Sequence, residues 1–162
     1  MRFSQANGLQ RAIRRFASSG PGSWFFARVL HHVDRPVYRL SGERFTLTSL
    51  LAGLPMAMLT TTGAKSGEPR TVPVLGLPTP DGLAVISSNY GQRNHPAWYH
   101  NLRANPDTTV QVGSERREVH ARAARPEERG RLWERAVDTY AGFGDYQQRA
   151  DREIPLIVLE PR

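Results

Sequence analysis

The residues from Thr60 to Arg70, TTTGAKSGEPR, form the cluster of the sequence that is best suited to chemistry. Two glycines and a proline within it predict a tight hairpin connection between two strands. Backbone N–H groups, four hydroxyl side chains, Lys65 and Arg70 would surround this turn. An anion with several oxygens needs such a set, namely a concavity of N–H donors, a point charge and a guanidinium fork. The residues alone therefore predict a phosphate or carboxylate loop, with a solvated hairpin tip as the alternative.

Signatures of other chemistries are absent from the sequence. There is no P-loop, no G-x-G-x-x-G after a strand, no G-x-S-x-G and no H-E-x-x-H. The chain has no cysteine, which excludes disulfides, thiolate catalysis and cysteine-ligated metals. The five histidines lack metal-ligand spacing, so we predict no metal site. An enzyme without its own nucleophile or metal usually takes its chemistry from a cofactor.

Short extended runs separated by turn residues begin after residue 45, and they must position this loop. They predict six strands, over residues 56–62, 71–77, 83–88, 108–112, 117–123 and 154–159. Helices are predicted over residues 97–105, with Pro96 at the first position, over 126–140 and over 145–150. Pro73 inside the second run indicates an edge or a bulge. The connections between the early strands are too short for parallel crossovers, so the fold class predicted is α+β, mainly β, as a small barrel with helical covers.

The first 44 residues differ from the rest in charge. They hold eight arginines and two acidic residues, so they carry most of the net charge of +7. We predict two parts, a basic amphipathic helical arm (1–44) and a barrel domain (45–162). The arm could pack its apolar stripe on the barrel or lie on an anionic membrane surface. With no signal peptide or membrane span in the sequence, we expect a cytoplasmic protein, with a peripheral position at the inner face of the cell membrane as the variant. No reading helix or RNA motif accompanies the arginines, so no nucleic-acid partner is predicted.

Three stretches of the sequence together resemble one known family. They are LTTTGAKSGEPRTVPV, SSNYGQRNHPAWYHNLRANP and TYAGFGDYQQRADREIPLIVLEP, which follow one another within residues 35–161. In order and spacing they resemble the deazaflavin (F420)-dependent nitroreductases and F420H2-dependent quinone reductases. The resemblance implies a split β-barrel related to flavin-binding barrels. It also implies an oxidoreductase that passes a hydride from reduced F420 to a small flat acceptor, a quinone or a nitroaromatic.

The resemblance also assigns roles to single residues. By their positions in the family pattern, Lys65 and Arg70 would grip the anionic tail of the cofactor. The cofactor-binding residues that it implies are Lys65, Arg70, Pro73, Ser88, Asn89, Trp98 and Asn101. Tyr140, Phe143 and Tyr146 would line the acceptor pocket. The candidate catalytic residues are Tyr140, Tyr146 and Ser88, because any of their hydroxyls could deliver a proton.

Two positions depart from the family pattern. The residue after Ser88 is commonly lysine in the family and is Asn89 here, which removes a charge from the cofactor site; Arg93 in the same loop is a candidate replacement. Phe143 stands where the family has a tyrosine. Two other functions therefore stay open: a split-barrel reductase that uses FMN, and a protein that binds F420 or a lipid-like ligand without turnover. The resemblance allows a monomer or a homodimer.

Overall fold

The structure is a computed structural model that describes residues 55–80 and 82–162. The predicted arm (1–44), with its helical character and its membrane contact, lies outside the described residues, as does the boundary at residue 45. Within the described residues, no helix is long and apolar enough to cross a bilayer. The elements are β1 (Met56–Thr62), β2 (Pro69–Thr79), β3 (Gly82–Ile86), a 3-10 turn (Asn89–Gly91), α1 (Ala97–Ala104), β4 (Asp107–Val112), β5 (Glu115–Ala123), α2 (Pro126–Thr139), α3 (Gly142–Ala150) and β6 (Leu156–Pro161).

The strands form one closed antiparallel barrel in the order β1-β2-β3-β6-β5-β4. Tight hairpins join β1 to β2, β2 to β3 and β4 to β5, in keeping with the short turns of the sequence. Two long-range pairings close the barrel: β4 lies beside β1, and β6 fills the gap between β3 and β5. The predicted class, a mainly β barrel with helical covers, is confirmed.

Alternating residues of the strands build two separate apolar layers. In β3, Leu83 and Val85 point into the barrel, whereas Ala84 and Ile86 point outward. The interior layer is closed by α1, which contributes Trp98. The outer layer is covered by α2 and α3, which pack on the outside of β2, β3 and β6. This helical cover protects the outward side chains that a barrel of this size would otherwise expose.

Each predicted element starts and ends within about three residues of the observed one, as with α3, which starts at Gly142 rather than 145, and β6, which is shifted by two residues. Three further differences concern the site. β2 is longer than predicted, because residues 69–75 continue the pairing with β1 and residues 76–79 pair with β3. Pro73 lies in the part of β2 that pairs with β1 alone, so its missing N–H is tolerated at a local edge within the closed barrel. Ser87 and Ser88 lie beyond β3 rather than in it, and Pro96 is the N-cap of α1 rather than its first residue.

Candidate functional site

The hairpin loop between β1 and β2 is held from inside by one asparagine. The Ala64 N–H donates to Asn101 Oδ1 at 3.0 Å, and Asn101 Nδ2 donates to Thr61 Oγ1 at 3.0 Å. Asn101 lies on α1, and both Asn101 and Thr61 are buried. Gly67 completes the turn with a φ of +71°, which favours glycine. The amide of Asn101 thus fixes the loop backbone to the barrel and to α1.

Lys65 and Arg70 lie on the outer side of this loop and are exposed. In the part of the chain that the structure describes, neither side chain forms an ion pair or a hydrogen bond. Glu68, the nearest acid in the chain, is also exposed, and its N–H bonds to Ser66 Oγ at 3.3 Å. Two uncompensated cations beside an ordered turn can bind an anionic group, because no internal partner competes for them.

Pro73 and Trp98 lie on opposite sides of the barrel wall. Pro73 is half-buried, and its neighbours in β2, Val72 and Val74, belong to the interior layer, so alternation places Pro73 outside. Trp98 is buried within the interior layer together with Leu59. The indole of Trp98 therefore packs the barrel end under α1.

The second predicted cofactor segment is the loop that follows β3. Ser88 has right-handed backbone angles, whereas Asn89, Tyr90 and Gly91 all have positive φ, of 47°, 56° and 76°. Asparagine tolerates this region better than most residues, because its short polar side chain can bond locally. The amide of Asn89 does so: Nδ2 donates to the Asn94 carbonyl at 2.9 Å. The structure thus accounts for asparagine at position 89 through the shape of the loop.

Arg93, the candidate replacement for the missing lysine, points away into solvent. Its side chain is 85% exposed and lies 3.8 Å from the carboxylate of Asp151, which is 81% exposed. Such an exposed pair contributes little. The charge of Arg93 therefore lies beside that of Asp151 in solvent.

The predicted acceptor residues form one buried aromatic cluster, defined here as Tyr140, Phe143 and Tyr146. Their ring centroids lie 5.4, 5.9 and 6.1 Å apart, and the hydroxyls of Tyr140 and Tyr146 are 3.1 Å apart. Burial raises the pKa of Tyr146 strongly and that of Tyr140 as well. Both phenols therefore stay protonated at neutral pH, so that they can act as hydrogen-bond donors.

The loop after β3 touches this aromatic cluster directly. The ring of Tyr90 meets that of Tyr146 edge-on at 6.1 Å. At Gly91 the approach is closer, since a Cβ there would lie 3.1 Å from Tyr146 Cα and 3.1 Å from its carbonyl oxygen. The structure thus brings the loop that carries Ser88 and Asn89 against the aromatic cluster, through Tyr90 and Gly91. The hairpin loop of Lys65 is joined to them through α1, which begins where the loop after β3 ends.

Sequence reasoning missed Arg152, which lies between α3 and β6. Its guanidinium bonds to the carbonyls of Ser87, Ser88, Arg93 and Asn94. Backbone partners leave no pattern in a sequence, and one arginine does not stand out in a chain where 21 of the 22 basic residues are arginine. Its position four residues before the buried strand β6, in DREIP, was the only local signal.

Comparison with known proteins identifies similar chains. Residues 32–161 match the family described as F420H(2)-dependent quinone reductase. A Mycobacterium tuberculosis protein named provisionally as an F420H(2)-dependent quinone reductase is 43% identical over 109 residues, which is 67% of this chain and 92% of that one. Another M. tuberculosis protein, named as an F420H(2)-dependent quinone reductase, is 38% identical over 67% of this chain and 74% of its own.

Solved structures resemble the fold as well. An F420-H2 dependent reductase (FDR-A) superposes with a TM-score of 0.61 at 39% identity, over 65% of this chain and 94% of that one. A structure described as a domain-swapped dimer has a TM-score of 0.63 at 33% identity, over 87% of this chain and 100% of that one. The family match begins at residue 32, inside the predicted arm.

Proposed function

The chain belongs to the F420H(2)-dependent quinone reductase family, and from that premise we propose that it oxidises reduced F420 and reduces a quinone. The observation that carries the proposal is the pair Lys65 and Arg70, exposed and without an ion-pair partner among the described residues, on a loop ordered by Asn101. This pair fits the tail of F420, a phosphodiester followed by glutamates. FMN, whose single phosphate is smaller, would use less of such a surface.

When bound, reduced F420 supplies a hydride, and a proton must also reach the quinone to give the quinol. The chain's own residues bind, orient and exclude water. We propose that Lys65, Arg70 and the backbone N–H groups of Ser88 and Asn89 hold the cofactor tail, which leaves the Ser88 hydroxyl for the deazaflavin and acceptor end. In the loop after β3, the right-handed Ser88 and the left-handed Asn89 give the backbone a conformation that can gather N–H groups around an anion.

Pro73, Trp98 and Asn101 would act nearer the barrel. Pro73 offers a flat apolar surface on the outside of β2, where a ring could lie. Trp98 and Asn101 would work indirectly, because the indole is packed in the interior layer and both ends of the Asn101 amide are bonded within the protein. We propose that these two residues set the position of the Lys65 loop.

The aromatic cluster would receive the acceptor. A flat ring fits against aromatic walls, and a quinone oxygen can accept a hydrogen bond from a phenol. Tyr140, Tyr146 and Ser88 are the proposed proton donors. Burial raises the pKa of the two phenols, so both carry a proton at neutral pH. Phe143 provides apolar area without a third hydroxyl, which suits a quinone and leaves a nitroaromatic as a second acceptor class.

Titration of the purified chain with F420 and, separately, with FMN tests the proposal. We expect F420 to bind more tightly, and Lys65→Ala and Arg70→Ala each to weaken F420 binding by roughly tenfold or more, about 1.4 kcal/mol. Arg116→Ala is the matched control, since Arg116 is an exposed arginine on β5, outside both loops. Oxidation of reduced F420 by a quinone distinguishes the enzyme from a binding protein without turnover. Tighter FMN binding would contradict the assignment.

Two further points belong to the same proposal. A lipid-soluble quinone would bring the protein to a bilayer, and we propose that the basic arm (1–44) makes this contact; cosedimentation of the full chain with anionic and neutral vesicles tests it. The domain-swapped dimer among the similar structures favours a homodimer over a monomer. Sedimentation equilibrium measures that state.

A further inference from the structure

The guanidinium of Arg152 donates its hydrogen bonds to main-chain carbonyls. Nε donates to the Arg93 carbonyl at 2.9 Å, and Nη2 lies 3.3 Å from each of the carbonyls of Ser87, Ser88 and Asn94. Within the described part of the chain, Arg152 forms no ion pair. One cation thus joins the two ends of the loop from Ser87 to Asn94, a task for which the several N–H groups of arginine are suited.

The loop that Arg152 holds has an energetically unfavourable backbone conformation. Asn89 and Tyr90 both have positive φ, and each such residue other than glycine costs about 1–2 kcal/mol. A conformation of this kind persists only where its surroundings enforce it. The Asn89 side chain contributes from within the loop, and Arg152 contributes from outside it.

The carbonyls that Arg152 binds determine where the neighbouring N–H groups point. In a trans peptide the C=O of one residue and the N–H of the next point in opposite directions, and the described residues contain no cis peptide. Because the carbonyls of Ser87 and Ser88 face the guanidinium, the N–H groups of Ser88 and Asn89 face away from it. They are the same N–H groups that the proposed cofactor tail would use.

Arg152 also connects this loop to the aromatic cluster. It follows α3 by two residues, and Tyr146 of α3 lies against Gly91 of the loop. A shift of the loop away from Arg152 would therefore open the contact with Tyr146. Arg152 thus connects the loop proposed to bind the cofactor with α3, the helix that carries Tyr146.

We propose that Arg152 is a positioning residue that fixes the Ser88 loop in the conformation which binds the anionic tail of F420. This inference rests on the proposed function for its ligand. The clamp, meaning the bonds of Arg152 to the carbonyls of the Ser88 loop, can nevertheless be tested without any ligand. It assigns to Arg152 a role through the backbone of Ser88 and Asn89, with no direct contact to cofactor or acceptor. Its effect should therefore fall on F420 affinity and on the loop, and far less on the rest of the fold.

Three variants of the full chain test the clamp. Arg152→Gln removes the charge and most donors, and Arg152→Lys keeps the charge but loses the fork. The matched control is Arg129→Gln, since Arg129 also bonds to a neighbouring carbonyl, that of Ile154, and to Glu153, but does not touch the loop. Hydrogen–deuterium exchange of the peptide covering residues 88–95 is measured without cofactor, and F420 affinity and urea unfolding are measured for each variant.

We expect Arg152→Gln to speed exchange in residues 88–95 and to weaken F420 binding at least tenfold, with Arg152→Lys restoring only a minor part. Arg129→Gln should shift the unfolding midpoint without changing either readout. If Arg152→Gln exchanges and binds like the wild type, or if Arg152→Lys binds fully, the clamp is wrong. If both glutamine variants weaken binding equally, loss of stability explains the effect and the clamp is also wrong. A wild-type chain that does not bind F420 would instead contradict the proposed function, while the exchange data would still decide whether Arg152 orders the loop.

Discussion

Asn101 and Asn89 show how the polar residues of the site are used. Both side-chain ends of Asn101 are bonded to β1 and its hairpin, and Asn89 donates to the carbonyl of Asn94 in its own loop. The Asn101 amide, bonded at both ends, has little capacity left for a ligand and shapes the backbone instead, and Nδ2 of Asn89 does the same within its own loop. The charges of Lys65 and Arg70 remain for binding. At the scale of single residues, the site therefore contains two kinds of residue. The two asparagines hold the loops, and the two cations face outward.

Gly142 carries a prediction at the same scale. A Cβ at this position, the first residue of α3, would lie 2.4 Å from Tyr140 Cζ and 2.6 Å from its hydroxyl oxygen. We therefore expect Gly142→Ala to push the Tyr140 ring out of the aromatic cluster and to destabilise the fold by about 1–3 kcal/mol. Because the acceptor would then meet a displaced phenol, kcat/KM for a quinone should fall roughly ten- to hundredfold. Urea unfolding and steady-state kinetics measure the two effects.

Gly144 provides the control for Gly142 within the same helix. Apart from its chain neighbours and the backbone of its own helix, nothing lies within 4 Å of a Cβ built there, so Gly144→Ala should leave the kinetics unchanged. It should raise stability by up to about 1 kcal/mol, as glycine-to-alanine changes in helices do. Equal kinetic losses in both variants would show that Tyr140 has no special part in accepting the quinone.

Residue types and their spacing can indicate side chains whose chemistry is local, but not those whose partners are backbone atoms. Lys65 and Arg70 stand in one cluster with glycines and hydroxyls, so their use could be predicted from type and spacing. The bonds of Arg152 to four carbonyls of the loop from Ser87 to Asn94 arise only when the segment after α3 packs beside the loop after β3. No pattern of residue types records such contacts.

At the scale of elements, one ionic network fastens α2 to the barrel. Arg122 of β5 bonds to Glu128 in the first turn of α2 and to Glu160 of β6, the latter at 2.7 Å. The Arg125 N–H also donates to Glu128 Oε1 at 2.7 Å, which caps the helix. The hydrogen bond from Arg122, with that from Arg125, lowers the pKa of Glu128 to about 2. The network thereby sets where α2 starts and how it covers the outer apolar layer.

This network predicts a pH dependence of folding stability. The pKa of Glu128 lies below its usual value of 4.5, so the stabilisation is complete above about pH 4.5 and declines as the pH falls toward 2. Glu128→Gln keeps the shape but cannot ionise. We expect it to cost about 1–2 kcal/mol at pH 7 and to make the free energy of unfolding less dependent on pH between 4.5 and 2. Urea unfolding at several pH values measures this change.

Glu127 is the matched control for Glu128. It lies one residue earlier in the same turn and is exposed, and the structure gives it no ion pair within the described residues. Glu127→Gln should change the unfolding free energy by no more than about 0.5 kcal/mol at every pH tested. A pH dependence that is the same in wild type and Glu128→Gln would show that Glu128 titrates normally in the folded chain.

The elements themselves were predicted more accurately than their neighbours in space. Alternating runs and turn residues located each strand and helix, because these signals are local. The pairing of β1 with β4 and the insertion of β6 between β3 and β5 join segments that are far apart in the chain. The strand runs and short turns therefore predicted a small barrel, but they did not indicate which distant strands pair to close it.

At the scale of the whole molecule, the charge is unevenly distributed along the chain. Residues 45–162 hold 14 basic and 13 acidic residues, whereas residues 1–44 hold eight arginines and two acidic residues. Residues 45–162 as a whole therefore carry a net charge of +1 and produce little long-range attraction for an anion. An anionic cofactor would be attracted either by the local pair Lys65 and Arg70 or by the field of the arm, and the two sources respond differently to mutation.

Salt dependence of F420 binding separates these two sources. Raising NaCl from about 0.01 M to about 0.15 M shortens the screening length from about 30 Å to about 8 Å. With two exposed ion pairs of about 0.2–1 kcal/mol each at stake, we expect F420 binding to the wild type to weaken roughly three- to tenfold. The double variant Lys65→Ala/Arg70→Ala should bind weakly at both salt concentrations and show little salt dependence, because its local cations are gone, whereas Arg116→Ala should behave like the wild type. A double variant that keeps the full salt dependence would show that the arm, rather than the hairpin loop, attracts the cofactor. Fluorescence titration of the three proteins at both salt concentrations gives the six affinities that decide between the two sources.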